Sequence, residues 1–430
     1  MQRLVSSLSK IRSELSLPGD KSISHRALIF NAMAEGKSKI SGLEKGLDVM
    51  ATINCLNQFG AIVDTTNLDK GYVSINDGGI SAFNQPQKDL DAKNSGTTIR
   101  LMTGILASRP FPTIIDGDDS LRRRPMQRII EPISLMGGSV VGANSEDFPP
   151  LKIEGKSLHG IEYSLPVPSA QVKSCVILAG LFADSQSIIH QPVFSRDHTE
   201  TMLSNMGANI EIIGNSITVN KSILRSVDME IPGDVSAAAF WIVAGLCHPD
   251  AEIVVKNIGI NKSRTGFLEI LKNMGADITI LNKHMMSGEP VGDIKARSST
   301  LKGVEISGSI IPNIIDEIPV LALAACFATG KTSIRDASEL RFKESDRING
   351  IVIELEKLGA EIVEHEDGMT IYGGKKLIGV NCHSHQDHRL AMMLGIAGIL
   401  CEGNLVVEGA EFSEISYPKF WEDLYGLGSF

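Results

Sequence analysis

MGANIEI, residues 206–212, holds the pattern from which the fold can be read. A hydrophobic–Gly pair closes a helix-like stretch, and a run rich in β-branched residues follows. Gly ends a helix in the left-handed conformation, and β-branched residues favour a strand. The pattern recurs as MGADITI at 274–280, and more loosely as FGAIV at 59–63, MGGSVV at 136–141 and LGAEIVE at 358–364. A weaker sixth copy, GLGSF, closes the chain at 426–430.

A second pattern alternates with the first. A small-residue helix ends in a polar turn and enters a strand in EGKSKISG from Glu35, RPFPTIIDG from Arg109 and ADSQSIIHQ from Ala183. It does so again in HPDAEIVVKN from His248, TGKTSIRD from Thr329 and EGNLVVEG from Glu402. Two interleaved sixfold patterns predict six α/β units of roughly 70 residues each. Three units per domain give two similar α/β domains, the first over residues 20–231, the second over 1–19 and 232–430. LPGDKS near Leu17 and IPGDVS near Ile231 share Pro-Gly-Asp and mark the two crossovers. The active site is expected in the interdomain cleft, where ligand sites commonly form.

Composition narrows the function. The chain has 430 residues, 43% hydrophobic and 21% charged, with a formal net charge of −10. That balance suits a globular protein and argues against nucleic acid or an anionic membrane as partner. The six cysteines are scattered without a CxxC pair, as expected for reduced thiols. The N-terminal MQRLVSSLSKIRSEL lacks the apolar run of a secretory signal, so a cytoplasmic protein is expected.

Basic residues in this acidic chain gather in short polar segments. LPGDKSISHR (17–26) sets Lys21, Ser22 and Arg26 beside a Pro-Gly turn, which is the chemistry of an anion site. NSGTTIR (94–100) and PSAQVKS (168–174) each open an apolar helix with hydroxyls and free amides, although any capped helix shares that look. SLRRRP (120–125) packs three arginines whose mutual repulsion an anionic ligand would relieve. RFKESDRI (341–348), read as a helix, puts Lys343 and Arg347 on one face with Glu344 between them. Asp316 and Glu317 stand at the edge of an apolar run, where carboxylates beside Lys and Arg suit proton transfer. DHRLAM (387–392) sets His and Arg at another helix start.

Two other patterns carry less. AACFATGKT lacks the first Gly of a P-loop, with Ala325 in its place, and belongs to the repeat. HSHQDH (383–388) matches the first part of a zinc-hydrolase signature, but no His follows His388 to complete a ligand set.

Taken in order, LPGDKSISHR, NSGTTIR, SLRRRP, PSAQVKS, SRDHTE, RFKESDRI and DHRLAM resemble the 5-enolpyruvylshikimate-3-phosphate synthases, of the enolpyruvyl transferase family. The resemblance runs from about residue 11 to 425. It implies two domains of three repeated units, an inside-out α/β barrel. It also implies transfer of the carboxyvinyl group of phosphoenolpyruvate to the 5-hydroxyl of shikimate 3-phosphate, on the route to chorismate and the aromatic amino acids. No metal or organic cofactor is implied, and a monomer is expected.

Carried over by motif, shikimate 3-phosphate is expected at Lys21, Ser22, Arg26, Ser169, Gln171, Asp316 and Lys343. Phosphoenolpyruvate is expected at Lys21, Gly96, Arg124, Gln171, Arg347 and Arg389. Asp316 would be the base on the 5-hydroxyl and Glu344 the proton donor to C3, with Lys21 assisting the leaving phosphate. Arg196 of SRDHTE would add a contact. The chain departs from many members at Ile415, where they carry a Lys, and Lys419 is not expected to replace it. The alternatives are the sister UDP-N-acetylglucosamine enolpyruvyl transferase, which has a Cys where this chain has Asp119, and a non-catalytic phosphometabolite-binding protein.

Overall fold

The structure, a computed structural model, describes residues 1–143 and 147–427. It divides into two compact units, Lys21–Ile231 and Met1–Asp20 with Pro232–Phe430, each with its own hydrophobic core.

Among the described residues six small sheets repeat one plan. In one, Leu90–Asp91 runs parallel to Pro112–Asp116. Pro112–Asp116 pairs antiparallel with Leu151–Glu154, and Ser139–Val141 closes the edge. Four other sheets share this order, and the sixth has three strands, Asn381–His383, Asn404–Glu408 and Gln2–Ser6. All six segments of the second sequence pattern form the second strand of their sheet: Gly36–Ser41, Pro112–Asp116, Ser187–His190, Ala251–Gly259, Lys331–Ile334 and Asn404–Glu408.

A helix precedes each of those strands: α1 (Lys21–Met33), α2 (Gly96–Leu106), α3 (Ala170–Gly180), α4 (Val235–Cys247), α5 (Ile318–Phe327) and α6 (His388–Leu400). These helices are buried on nearly every side. Val235–Leu246 of α4 and His388–Ile399 of α6 are buried without a break. A helix buried on nearly every side is enclosed by its neighbours, and the most apolar of the six, α4 and α5, have no polar face to turn to water. The strands alternate accordingly: Leu151 and Ile153 are buried, Lys152 and Glu154 exposed. Among the described residues no single helix is long and apolar enough to cross a membrane.

The first sheet of each unit takes an edge strand from a distant part of the chain. Met229–Glu230 pairs with Ile40–Ser41, and Ile11–Ser16 pairs with Ala251–Lys256. The two Pro-Gly-Asp crossovers meet: Asp20 N donates to Pro232 O (2.8 Å) and Asp234 N to Pro18 O (3.0 Å). Buried Arg264 holds both aspartates, at 3.0 Å from Asp20 and 3.7 Å from Asp234.

Gly60, Gly137, Gly207, Gly275 and Gly359 all have φ between +88° and +99°, and each leads into a strand. The sixth copy runs into Gly428, which lies outside the described residues.

These glycines differ in their surroundings, which yields a prediction. A Cβ on Gly207 meets nothing within 4 Å, whereas one on Gly60 falls 2.6 Å from Ala82 O. Gly207→Ala should cost about 1–2 kcal/mol from backbone strain alone. Gly60→Ala should cost clearly more. Urea midpoints of the two variants check this; equal losses would contradict it.

Candidate active site

In the Lys21–Ile231 unit the N-terminal turns of α1, α2 and α3 are tied together by side chains. Arg26 on α1 donates to Ser174 on α3 (2.8 Å) and to Thr199 (2.7 Å). Gln171 on α3 accepts from Arg100 on α2 (2.8 Å) and donates to Thr97 (3.0 Å). A buried chain His25–Thr52–Thr98–Ser95, each link 2.7 Å, joins α1 to α2. Lys21, Ser22, Arg26, Gly96, Ser169 and Gln171 therefore belong to one cluster.

Arg124 joins them through Asn94 (2.7 Å), the residue before the α2 cap. Gly96 is needed for close approach: a Cβ there would lie 2.6 Å from Arg100 Nη1 and 3.3 Å from Arg124 Nη1. Ser169 caps α3, accepting from Val172 N. Lys21 pairs with Asp48 at 3.1 Å, and Arg196 donates to Ser22 Oγ at 3.0 Å.

Beneath this surface lies a buried ion pair, Lys173–Glu200 at 2.7 Å. Burial drives the Lys173 ammonium below its usual range, against the pull of Glu200. The pair anchors the segment that carries Arg196 and Thr199. The cluster as a whole is cationic, with Lys21, Arg26, Arg100, Arg124 and Arg196 lining three helix N-termini that also favour negative charge.

The SLRRRP segment departs from the expectation of mutually repelling arginines. Arg122 pairs with Asp116 at 2.5 Å, Arg123 is exposed, and only Arg124 is buried. The three side chains already have separate surroundings.

In the other unit the site gathers on Arg347, which is 1% exposed. It meets three carboxylates: Glu344 (2.6 Å), Asp387 (2.8 Å) and Asp316 (3.4 Å). These neighbours hold its guanidinium well above the usual range despite burial. Arg389 reaches Asp316 at 3.8 Å. Asp387 also caps α6, accepting from Arg389 N (2.8 Å). Asp316 and Glu344 are only partly buried.

RFKESDRI is not one helix, contrary to the sequence reading. Ser338–Phe342 form a 3-10 turn, Lys343 ends it, and a helix starts at Arg347 with Asp346 as its cap. Lys343 and Arg347 thus do not share a helix face. Glu344 reaches Arg347 from the turn, and Lys343 stands beside it in the chain.

Ile415 is buried at 6% exposure and Lys419 is exposed, so no cation stands at 415. His385 of HSHQDH bonds Glu354 at 2.6 Å. Among the described residues no group of three or more His, Cys, Asp or Glu side chains is placed to hold a metal ion. The cysteines are unpaired, and burial pushes the Cys55, Cys175 and Cys326 thiols up to about 12.

Sequence reasoning missed Asp387, Arg100 and Asp48 as site residues. The first two lie inside quoted motifs, and Arg100 follows Gly96 by one helical turn. Asp48 carries no local signal.

A family model described as EPSP synthase (3-phosphoshikimate 1-carboxyvinyltransferase) matches residues 5–424. The 3-phosphoshikimate 1-carboxyvinyltransferase of Thermodesulfovibrio yellowstonii is 46% identical over 424 residues, 98% of each chain. That of Prochlorococcus marinus is 47% identical over 416 residues, 96% of this chain and 94% of its own. The solved EPSP synthase of Acinetobacter baumannii superposes with a TM-score of 0.87 at 37% identity, covering 99% of this chain and 98% of its own. The enolpyruvyl transferase NikO of Streptomyces tendae, at 17% identity, shares the fold with a TM-score of 0.79 over 99% of this chain and 97% of its own. Matched by the family model over residues 5–424 and 46% identical to a relative over 98% of its length, this chain belongs to the EPSP synthase family.

Proposed function

We propose that the chain acts as a 3-phosphoshikimate 1-carboxyvinyltransferase, with anion binding by the cationic cluster and proton transfer by the carboxylates around Arg347. The carboxyvinyl group of phosphoenolpyruvate passes to the 5-hydroxyl of shikimate 3-phosphate by addition and elimination. In the addition the hydroxyl oxygen bonds C2 of phosphoenolpyruvate, its proton leaves to a base, and C3 gains a proton. In the elimination C3 gives the proton back, the C2–O bond to phosphate breaks, and the enol ether and inorganic phosphate remain.

Both substrates carry a phosphate and a carboxylate, which accounts for the number of cations. Lys21, Ser22, Arg26, Ser169 and Gln171, with Asp316 and Lys343, hold shikimate 3-phosphate. Lys21, Gly96, Arg124 and Gln171, with Arg347 and Arg389, hold phosphoenolpyruvate. Fixing hydroxyl and enol together removes part of the entropic barrier.

The observation that best supports this reading is the contact of Arg347 with Glu344 and Asp316 at once. A bound carboxylate competes with Glu344 for the guanidinium. Glu344 then loses its cation, the condition under which a carboxylic acid keeps a proton to give to C3. Asp316, beside Arg389, takes the hydroxyl proton. Lys21 neutralises the leaving phosphate. The same reading makes the chain a cytoplasmic monomer acting on small molecules, with no nucleic acid, membrane or cofactor involved. Sedimentation at a mass other than 46.3 kDa would contradict the monomer.

Asp316→Ala and Glu344→Ala should each fold normally and lose turnover by about 10²–10⁴-fold. Thermal melting and phosphate release measure both, and wild-type rates in the folded variants would sink the assigned roles. Lys21→Met should raise KM for both substrates, because the proposal assigns its ammonium to both. Unchanged kinetics would remove it from the site.

A further inference from the structure

The HSHQDH turn holds a feature that the transfer reaction does not use. His385 and Gln386 have φ of +51° and +59°, two successive non-glycine residues in the left-handed region. Each costs about 1–3 kcal/mol and persists only where the surroundings hold it. Immediately after them comes Asp387, which pairs with Arg347 and caps α6 ahead of Arg389.

What holds the turn is Glu354. Its side chain is fully buried, and it lies two turns beyond Arg347 on the helix Arg347–Lys357. His385 Nε2 meets it at 2.6 Å, His383 N donates at 3.0 Å, and Lys357 Nζ binds both oxygens, at 2.9 and 3.1 Å. These donors hold the Glu354 carboxyl down, at about 2 against an ordinary 4.5. Glu354 is therefore ionised, and His385 Nε2 is the donor. Ser384 fixes the other side of the turn, with Oγ donating to Gly409 O at 2.9 Å.

One helix thus grips the turn at two points. Arg347 takes Asp387 at its start, and Glu354 takes His385 two turns later. We infer that the Glu354–His385 pair is a positioning device for the phosphoenolpyruvate end of the site. It holds a strained turn so that Asp387 orients Arg347 and starts α6 with Arg389 in place. The inference rests on the reading of Arg347 and Arg389 as phosphoenolpyruvate ligands. His385 and Glu354 are positioning residues and touch no substrate.

The test is steady-state phosphate release with each substrate varied in turn, on His385→Ala, His385→Gln and Arg389→Ala, with thermal melting of each. His385→Ala should raise KM for phosphoenolpyruvate about tenfold, the worth of one hydrogen bond to a charged group. KM for shikimate 3-phosphate should stay within twofold. His385→Gln, whose amide can still donate to Glu354, should recover part of the loss. A rise in both KM values together with a fall in melting temperature would show a merely structural residue and overturn the inference. If Arg389→Ala raises KM for phosphoenolpyruvate and His385→Ala does not, the positioning role alone is wrong. If neither variant changes it, the ligand reading falls and takes the inference with it.

Discussion

A helix buried along nearly its whole length is the constraint on which this molecule is built. Six such helices, α1 to α6, bury nearly their whole length, and sheets must enclose them. Many of the polar groups of the candidate site stand in their first turns and the residues just before them. Lys21 and Ser22, Ser95 and Gly96, Ser169 and Gln171, Asp234 and Ser236, Asp316 and Glu317, and Asp387 and Arg389 all stand there. The exposed amides and the dipole of a helix N-terminus favour anions, which suits substrates rich in phosphate and carboxylate.

The two units use these positions differently. In Lys21–Ile231 the helix starts carry cations, supported from below by the buried Lys173–Glu200 pair. In the other unit they carry carboxylates, and Arg347 and Arg389 offset them. A buried arginine shared by three carboxylates is costly to desolvate and is no efficient source of stability. In the proposed reading an incoming anion exchanges with one of those carboxylates, which gives the arrangement a purpose other than stability. Arg264 holds Asp20 and Asp234 where the chain crosses, directly before Lys21 and before α4.

The repeat was legible because its punctuation is local. A Gly at positive φ between a helix and a strand is a backbone requirement, and all five described copies meet it. The helix starts were legible for the same reason, as Ser95, Ser169 and Asp387 cap as their residue type suggests. RFKESDRI was misread because Lys343, Glu344 and Arg347 have helical spacing. Asp346, a capping residue just before an apolar period, was the signal that the helix starts later. Asp387 was passed over because an N-cap aspartate looks ordinary in sequence, and its burial against Arg347 depends on a strand and a helix 40 residues apart. Asp48 depends on a tertiary contact alone.

The central claim is that the cationic cluster and the Arg347 carboxylates serve one transfer, from phosphoenolpyruvate to shikimate 3-phosphate. The most direct measurement is phosphate release from phosphoenolpyruvate with shikimate 3-phosphate or UDP-N-acetylglucosamine as acceptor, with mass spectrometry of the product. The account predicts release with shikimate 3-phosphate alone, and a product heavier by one carboxyvinyl group in place of a hydrogen. Release with the sugar nucleotide alone, or with neither acceptor, would contradict it.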